Sequence, residues 1–408
     1  MENNNKKLKI AVLGLGYVGL PLLAALASKK RYECYGIDKN VSKIEELKRG
    51  ISPLETVDSY KIQNLKIEFF YDISKIDNLD LIFFCLPTPV NHQGIPNLEI
   101  LDLAISDCAS KFHRTTIFAV VSTVYPGYMD DTLSMLEIGN YAFCPEREDP
   151  GNQDFDIKTT NRIMAASNEY SYQAVCDVLQ NCCGTIFRAS TIKAAEMCKL
   201  LENTHRLVNI AFMNEFTSYC ESLSLDVREI NDLAATKPFG YTKFYPGIGI
   251  GGHCIPVDPH YLKFAVKKQG CDTPFIDLAF KAEKTHRKKI INRIEREILQ
   301  TGVNEVLFIG ASYKKNVGDI RESPSVKIIQ TIQKKQIVKI YVLDPHVAKI
   351  DFPLNPDGVI FTNSIDTIKN VPKLIFLMVD HDSVTRTVKL LNLNSRVIDL
   401  TANSTRKK

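Results

Sequence analysis

Hydrophobic and polar positions divide the chain into three stretches with different periods. Leu8–Leu13 is a short apolar run that ends in Gly14-Leu15-Gly16-Tyr17-Val18-Gly19 and continues into an alanine- and leucine-rich stretch up to Ser28, the pattern of a strand, a glycine turn and a helix. Apolar runs of strand length recur at 33–37, 79–85, 116–121 and Tyr141–Phe143, with helix-like or polar segments between them. Alternating strands and helices predict a parallel sheet covered on both faces. Between 191 and 223 there is no glycine or proline, and Ala194, Met197, Leu200, Leu201, Leu207, Val208, Ala211 and Phe212 keep one side apolar. That spacing predicts one helix of about 30 residues, far above the usual length. Helical patterns continue over 227–235 and 273–299, separated by a glycine- and proline-rich loop at 237–259. After Thr301-Gly302 the strand–helix rhythm returns, with strands expected at Glu305–Ile309, Lys339–Leu343, 374–379 and 396–398. The expected fold is α/β: two Rossmann-like parallel-sheet domains, 1–190 and 301–408, joined by a long-helix central domain, 191–300. A length of 408 residues suits such a division better than one core.

Charge and cysteine content narrow the partners. Lys plus Arg number 51 against 47 Asp plus Glu, so the net +4 gives no broad cationic field for nucleic acid or anionic lipid, and an anionic ligand must be held locally. The apolar stretch 79–90 is broken by Asp80, Pro87 and Pro89 and falls short of the ~20 residues a bilayer span needs. The polar segment 1–9 leads straight into a strand, which reads as no secretory leader and a cytoplasmic protein. Eleven cysteines are odd in number and irregular in spacing, with no paired Cys-x-x-Cys framework, so reduced thiols and no metal site are expected.

Gly14, Gly16 and Gly19 fit the dinucleotide fingerprint, in which missing side chains permit a tight turn, close approach of a pyrophosphate and helix-to-strand packing. Asp38, nineteen residues beyond Gly19 at the end of the next strand, adds the carboxylate that accepts from ribose hydroxyls and repels a 2′-phosphate, favouring NAD over NADP. Lys43 stands near enough in sequence to lie by the ribose. In the last section Gly310-Ala311-Ser312 ends its first strand without the triple-glycine spacing, and no second dinucleotide is expected.

In Pro246-Gly247-Ile248-Gly249-Ile250-Gly251-Gly252-His253-Cys254, four glycines precede a thiol, and Asp258 follows four residues later. Backbone free of side chains lets a ligand approach and aims amide N–H groups at a developing oxyanion, which singles out Cys254 as a nucleophile among thiols that otherwise read as small buried hydrophobes. His253 reads as structural rather than as the base, because adjacent side chains usually diverge. Lys199 and Asn203, four apart on the long helix, share a face and can set an ammonium and an amide against one substrate oxygen. Glu146 and the pair Ser122-Thr123 follow strands of the first sheet, at the edge where α/β proteins bind ligands. Lys314 and Arg321 supply cations after the first strand of the last section.

These residues resemble the UDP-glucose/GDP-mannose dehydrogenase family over nearly the whole chain. Gly14-x-Gly16-Tyr17-Val18-Gly19-Leu20-Pro21, Pro87-Thr88-Pro89, Ser122-Thr123-Val124-x-Pro126-Gly127, Lys199-x-x-x-Asn203, Gly251-Gly252-His253-Cys254 and Arg321-Glu322-Ser323-Pro324 occur in family order. Within the family, Pro145-Glu146-Arg147-x-x-Pro150-Gly151, Lys237-Pro238-Phe239-Gly240 and Phe244-Tyr245-Pro246-Gly247 look like the bacterial branch that oxidises UDP-N-acetylglucosamine at C6. The arginine that glucose-type members send across a dimer interface has no match here, where Thr236-Lys237-Pro238 stands instead. The resemblance implies Cys254 as nucleophile, Lys199 and Asn203 as oxyanion stabilisers, Asp258 and Glu146 as acid/base carboxylates, and Thr123 as the residue that positions water. It further implies that Tyr17, Val18, Pro87, Thr88, Thr123 and Arg321 lie by the cofactor. Glu146, Arg147, Lys199, Asn203, Tyr245, Gly249, Gly251 and Lys314 would meet a UDP-sugar.

The implied chemistry turns a primary alcohol into a carboxylate by two hydride transfers to NAD, with Cys254 holding the intermediate aldehyde as a thiohemiacetal and then a thioester. The product would feed surface polysaccharide synthesis. Two other readings compete: a two-electron 3-hydroxy acid dehydrogenase, which shares the Rossmann domain and the Lys/Asn helix but has no cysteine loop, and a nucleotide-sugar-binding regulator that has lost catalysis. The apolar side of the long helix and the resemblance together point to a homodimer.

Overall fold

The computed structural model describes residues 7–54, 57–148, 157–348, 352, 358–391 and 394–401. Strands β1 (Leu8–Leu13), β2 (Tyr32–Ile37), β3 (Ile67–Phe70), β4 (Leu81–Phe84), β5 (Ile117–Val120), β6 (Tyr141–Phe143), β7 (Arg162–Ala166) and β8 (Ile186–Arg188) form one sheet in the order β3-β2-β1-β4-β5-β6-β7-β8. The sheet is parallel from β3 to β6, but β7 runs antiparallel to β6, a departure from the wholly parallel sheet that the alternating pattern implies. Strands β9 (Glu305–Ile309), β10 (Lys339–Leu343), β11 (Val359–Thr362), β12 (Leu374–Leu377) and β13 (Arg396–Asp399) form a second, parallel sheet ordered β11-β10-β9-β12-β13. Strands β3, β8 and β11 lie at sheet edges, and each is short with exposed or half-exposed positions, so their apolar runs are too brief to register.

Each sheet is buried on both faces. In β9, Val306 and Phe308 enter one apolar cluster while Leu307 and Ile309 enter another on the opposite face, the period-two alternation of a strand. Phe308 stacks on Phe376 of β12 with ring centroids 5.2 Å apart. Ile294 and Ile298, from the helix Pro274–Thr301, complete the first of these clusters. The chain divides into two compact units: Met1–Glu202 with His260–Gly270, and Asn203–Pro259 with Cys271–Lys408.

The long helix is Ile192–Ser222, 31 residues. Its buried face carries Ala195, Glu196, Lys199, Leu200, Asn203, Leu207, Ala211 and Asn214. Met197, Leu201 and Phe212, counted with them on one apolar side by their spacing, are exposed. The apolar residues are thus split between two faces, and five polar side chains, Glu196, Lys199, Asn203, Thr204 and Asn214, are buried along the same helix.

The two sheets repeat one device. At the end of β2, Asp38 accepts the Leu15 amide of the turn after β1 at 2.9 Å. At the end of β10, Asp344 accepts the Ala311 and Ser312 amides of the turn after β9 at 2.7 and 3.0 Å. Asp344 is fully buried and meets His381 at 3.2 Å.

Candidate active site

In the first unit the glycine turn is built by exclusion. Gly14 sits at φ +89°, and a Cβ there would lie 2.4 Å from the Cys85 carbonyl oxygen; a Cβ on Gly19 would lie 1.9 Å from the Gly14 oxygen. Gly16 has nothing within 4 Å of its missing side chain, which leaves the open approach that a pyrophosphate requires. The helix Gly19–Ala27 begins at Val18 without a side-chain cap; of its first amides, that of Leu20 donates to the Gly16 carbonyl at 3.1 Å and Pro21 has none, which leaves the Gly19 amide as its donor for an anion. This donor set fits NAD. Asp38 receives the Asn40 amide (2.9 Å) on one oxygen and Lys43 Nζ (2.8 Å) together with the Leu15 amide on the other. Burial pushes its carboxyl up, but Lys43 and the two amides outweigh this and hold it below the usual carboxylate range. Lys43 therefore pairs with Asp38 itself.

Tyr17 and Val18 are half-buried in the turn. Pro87 and Thr88 follow β4, and the Thr88 carbonyl accepts the Tyr261 hydroxyl at 2.9 Å. Thr123, half-buried after β5, follows Ser122, whose hydroxyl donates to the Leu86 carbonyl at 2.7 Å.

Glu146 is buried after β6, and its carboxylate is fully engaged: one oxygen meets Arg162, the other accepts the amides of Arg147 (2.8 Å) and Glu148 (3.1 Å). Its backbone carbonyl accepts Lys199 Nζ at 2.6 Å. Arg147 forms a two-pronged pair with Glu202 of the long helix, at 2.6 and 3.2 Å. Arg162 is the residue that spacing misses. Burial lowers the affinity of its guanidinium for the proton, but Glu146 more than compensates, and its value is raised. A lone arginine sixteen residues on, opening a strand that the pattern does not reveal, gives no motif signal.

In the second unit, Asn203 Nδ2 donates to the buried Asp258 carboxylate at 2.6 Å. Asp258 starts the helix Asp258–Lys267, and its amide donates to the Cys254 carbonyl at 2.8 Å, so one tight turn sets thiol, carboxylate and helical amide in order. Cys254 is half-buried, and His253 Nδ1 lies 3.5 Å from its Sγ, so the adjacent ring does turn toward the thiol. By contrast, burial pushes the Cys34, Cys108 and Cys144 thiols up to about 12.

The glycine loop is held from within its own unit. Three of its amides point inward: Gly247 to Asn214 (2.9 Å), Ile250 to Glu283 (3.0 Å) and Gly252 to the Arg321 carbonyl (3.1 Å). A Cβ on Gly251 would lie 2.7 Å from both Tyr313 and Pro324, and one on Gly249 would lie 3.2 Å from Pro324. The glycines make room for these neighbours, and Asn214, Glu283 and His286, none marked by a motif, hold the loop in place. Tyr245 is half exposed beneath Lys243, 4.9 Å from its ring centroid. Lys314 is half-buried in the loop after β9, and Arg321 grips Asp319 through Nε and Nη2 at 2.6 to 3.0 Å.

A dinucleotide turn with an acidic partner, followed by a helix bearing Lys and Asn one turn apart and a cysteine loop, defines an NAD-dependent dehydrogenase. The chain belongs to the UDP-glucose/GDP-mannose dehydrogenase family: its NAD binding domain matches residues 8–182, its central domain 193–285 and its UDP binding domain 307–403. Members are NAD-dependent nucleotide-sugar dehydrogenases. The chain is 31% identical over 360 residues to the UDP-N-acetyl-D-glucosamine 6-dehydrogenase of Salmonella typhi, covering 84% of this chain and 83% of that one. It is 28% identical over 396 residues to the UDP-N-acetyl-D-mannosamine dehydrogenase of Methanocaldococcus jannaschii, covering 94% and 88%. The solved structure of the UDP-D-ManNAc dehydrogenase from Pyrococcus horikoshii superposes with a TM-score of 0.85 at 25% identity, covering 98% of this chain and 97% of that one. No helix among the described residues is long and apolar enough to cross a membrane.

Proposed function

We propose that this protein oxidises the C6 hydroxymethyl of UDP-N-acetylglucosamine to a carboxylate, a four-electron reaction that yields UDP-N-acetylglucosaminuronate for surface polysaccharide synthesis in the cytoplasm. The observation that carries the reading is the sequence of contacts Asn203 to Asp258 to the Cys254 turn, since a dehydrogenase that stops at two electrons has no need of a thiol there. Two NAD molecules, held in turn at the 14–19 turn and Asp38, would each accept one hydride. Asp258 takes the proton of the C6 hydroxyl as the first hydride leaves, and the product is an aldehyde. The Cys254 thiolate adds to that carbonyl carbon, forming a C–S bond, and Lys199 and Asn203 hold the resulting oxyanion. Loss of the second hydride leaves a thioester. Water, positioned by Thr123, attacks it; the C–S bond breaks, the thiolate returns to Cys254, the water oxygen stays in the carboxylate and both water protons pass to solvent.

Between the two carboxylates, Asp258 is assigned as the proton carrier, because Glu146 is clamped by Arg162 and two amides. Glu146 then serves through its backbone carbonyl, which aims Lys199. Lys314, Tyr245, Gly249, Gly251 and Arg147 are assigned to the UDP-sugar, and Asp38, Lys43, Tyr17, Val18, Pro87, Thr88 and Arg321 to the cofactor side. The N-acetylglucosamine assignment is supported by the branch-like segments 237–245 and 146–151 and by the Salmonella relative.

One experiment tests both parts: NADH formed per sugar, with UDP-N-acetylglucosamine, its galacto and manno epimers, UDP-glucose and GDP-mannose. Two NADH per sugar are expected, and one would remove the covalent mechanism. UDP-N-acetylglucosamine should lead UDP-glucose about tenfold in kcat/KM, ~1.4 kcal/mol of differential transition-state binding. A lead by another sugar would reassign the substrate within the same family.

A further inference from the structure

The long helix buries a carboxylate that the chemistry above does not use. Glu196 is fully buried, one turn before Lys199 on the same face of the helix, and forms no ion pair among the described residues. Its two oxygens are spent on backbone: one accepts the Gly127 amide at 2.6 Å, the other the Met129 amide at 3.0 Å. These amides open the helix Tyr128–Met135, whose own N-terminal residue, Gly127, has a left-handed φ of +97° and no side chain to cap with. The cap comes from another helix instead. The 122–127 loop just before it is pinned at its other end by Ser122, whose hydroxyl donates to the carbonyls of Leu86 (2.7 Å) and Phe84 (3.2 Å). Thr123 stands between the two anchors, and Val124 beside it is buried.

We propose that Glu196 is a positioning residue for the oxidation: by capping the Tyr128–Met135 helix it fixes the 122–127 loop, and with it Thr123, against the helix that carries Lys199. This rests on Thr123 acting in the reaction. The arrangement also gives the device a pH signature. The groups that bear on Glu196 are Asp130 and Asp131 of the capped helix, Tyr125 of the loop and Tyr141 of β6. Burial, opposed by the two amide bonds and reinforced by Asp130 and Asp131, pushes its carboxyl up to about 7. As pH falls through that value, one acceptor oxygen becomes a hydroxyl, the cap weakens and the loop loosens.

The test is a double-mutant cycle on the full-length enzyme with Glu196→Gln, Thr123→Ala and the pair, each checked for thermal midpoint and NAD binding. Glu196→Gln is expected to lower kcat about tenfold while each KM stays within about twofold, and to lose the part of the wild-type decline in kcat that centres near pH 7. The double variant should be no slower than Thr123→Ala alone, because both act on one step. A slow Thr123→Ala beside a wild-type rate and pH profile in Glu196→Gln would overturn the inference alone, as would additive losses. A wild-type Thr123→Ala would overturn the assignment of Thr123 and this inference with it. If Gln at 196 prevents folding, Glu196→Asp keeps the charge one methylene short and is read by the same cycle.

Discussion

A carboxylate such as Asp38 has two tasks that pull in one direction. It ties the β1 turn to the end of β2 through the Leu15 amide, and it holds Lys43 at 2.8 Å. Asp38→Ala removes the ribose acceptor and the repulsion of a 2′-phosphate, and it also leaves the Lys43 ammonium without this partner beside that position. The preference for NAD over NADP should therefore narrow, as kcat/KM with both cofactors would show; unchanged discrimination would mean that Asp38 does not face the ribose. The carboxyl is held below its ordinary value, so its contribution is complete above that value and is lost only as pH falls through the depressed one. Cofactor preference should consequently stay flat above roughly pH 5. At Cys254 the discriminating change is Cys254→Ser. An alkoxide leaves far more slowly than a thiolate, so carboxylate production should collapse while sugar binding survives, and intact-mass spectrometry should show a retained adduct or none. Normal turnover in Cys254→Ala would remove the nucleophile.

Elements tell a different story from residues in the glycine loop. Its composition reads as a ligand-approach surface, yet the space at Gly251 and Gly252 is taken by Tyr313 and Pro324. Gly251→Ala should thus destabilise the second unit by about 1–3 kcal/mol through overpacking and shift Cys254, three residues on. Gly247→Ala meets nothing within 4 Å and should stay within about 0.5 kcal/mol of wild type; urea unfolding separates the two. The same contrast explains what was legible in the sequence. The strands β1, β6, β9 and β10 and the long helix could be read to within a residue or so, because apolar period and the absence of glycine and proline are local signals. The chain positions of the glycine turn, Cys254, Asp258, Lys199 and Asn203 were legible as motifs. Arg162, Glu196, Asn214 and Glu283 were not, since each acts by a contact 16 to 69 residues away and carries no local pattern. The edge strands β3, β8 and β11 and the reversal at β7 escaped for the same reason: pairing partners are set by tertiary packing.

On the scale of the whole molecule, the long helix poses a problem that one chain does not solve. Met197, Leu201, Phe212, Tyr219 and Leu223 are 41 to 69% exposed, and at 100° per residue they fall on one stripe, opposite the face that buries Glu196, Lys199 and Asn203. A 31-residue helix is about 46 Å long, so the stripe runs the length of a stable interface rather than forming a local patch. Scattered apolar residues need no partner, but a stripe aligned along a helix does. A second copy, related by a two-fold axis, can pair the same stripe with itself, because an isologous contact requires only self-complementarity. Light scattering should therefore give twice the 46.0 kDa chain mass, with little response to salt, since the contact is apolar rather than ionic. Leu201→Glu combined with Phe212→Glu places charge in the middle of that stripe and should yield a folded monomer. A wild-type monomer at micromolar concentration, or a double variant that still dimerises, would show that this face is left to solvent.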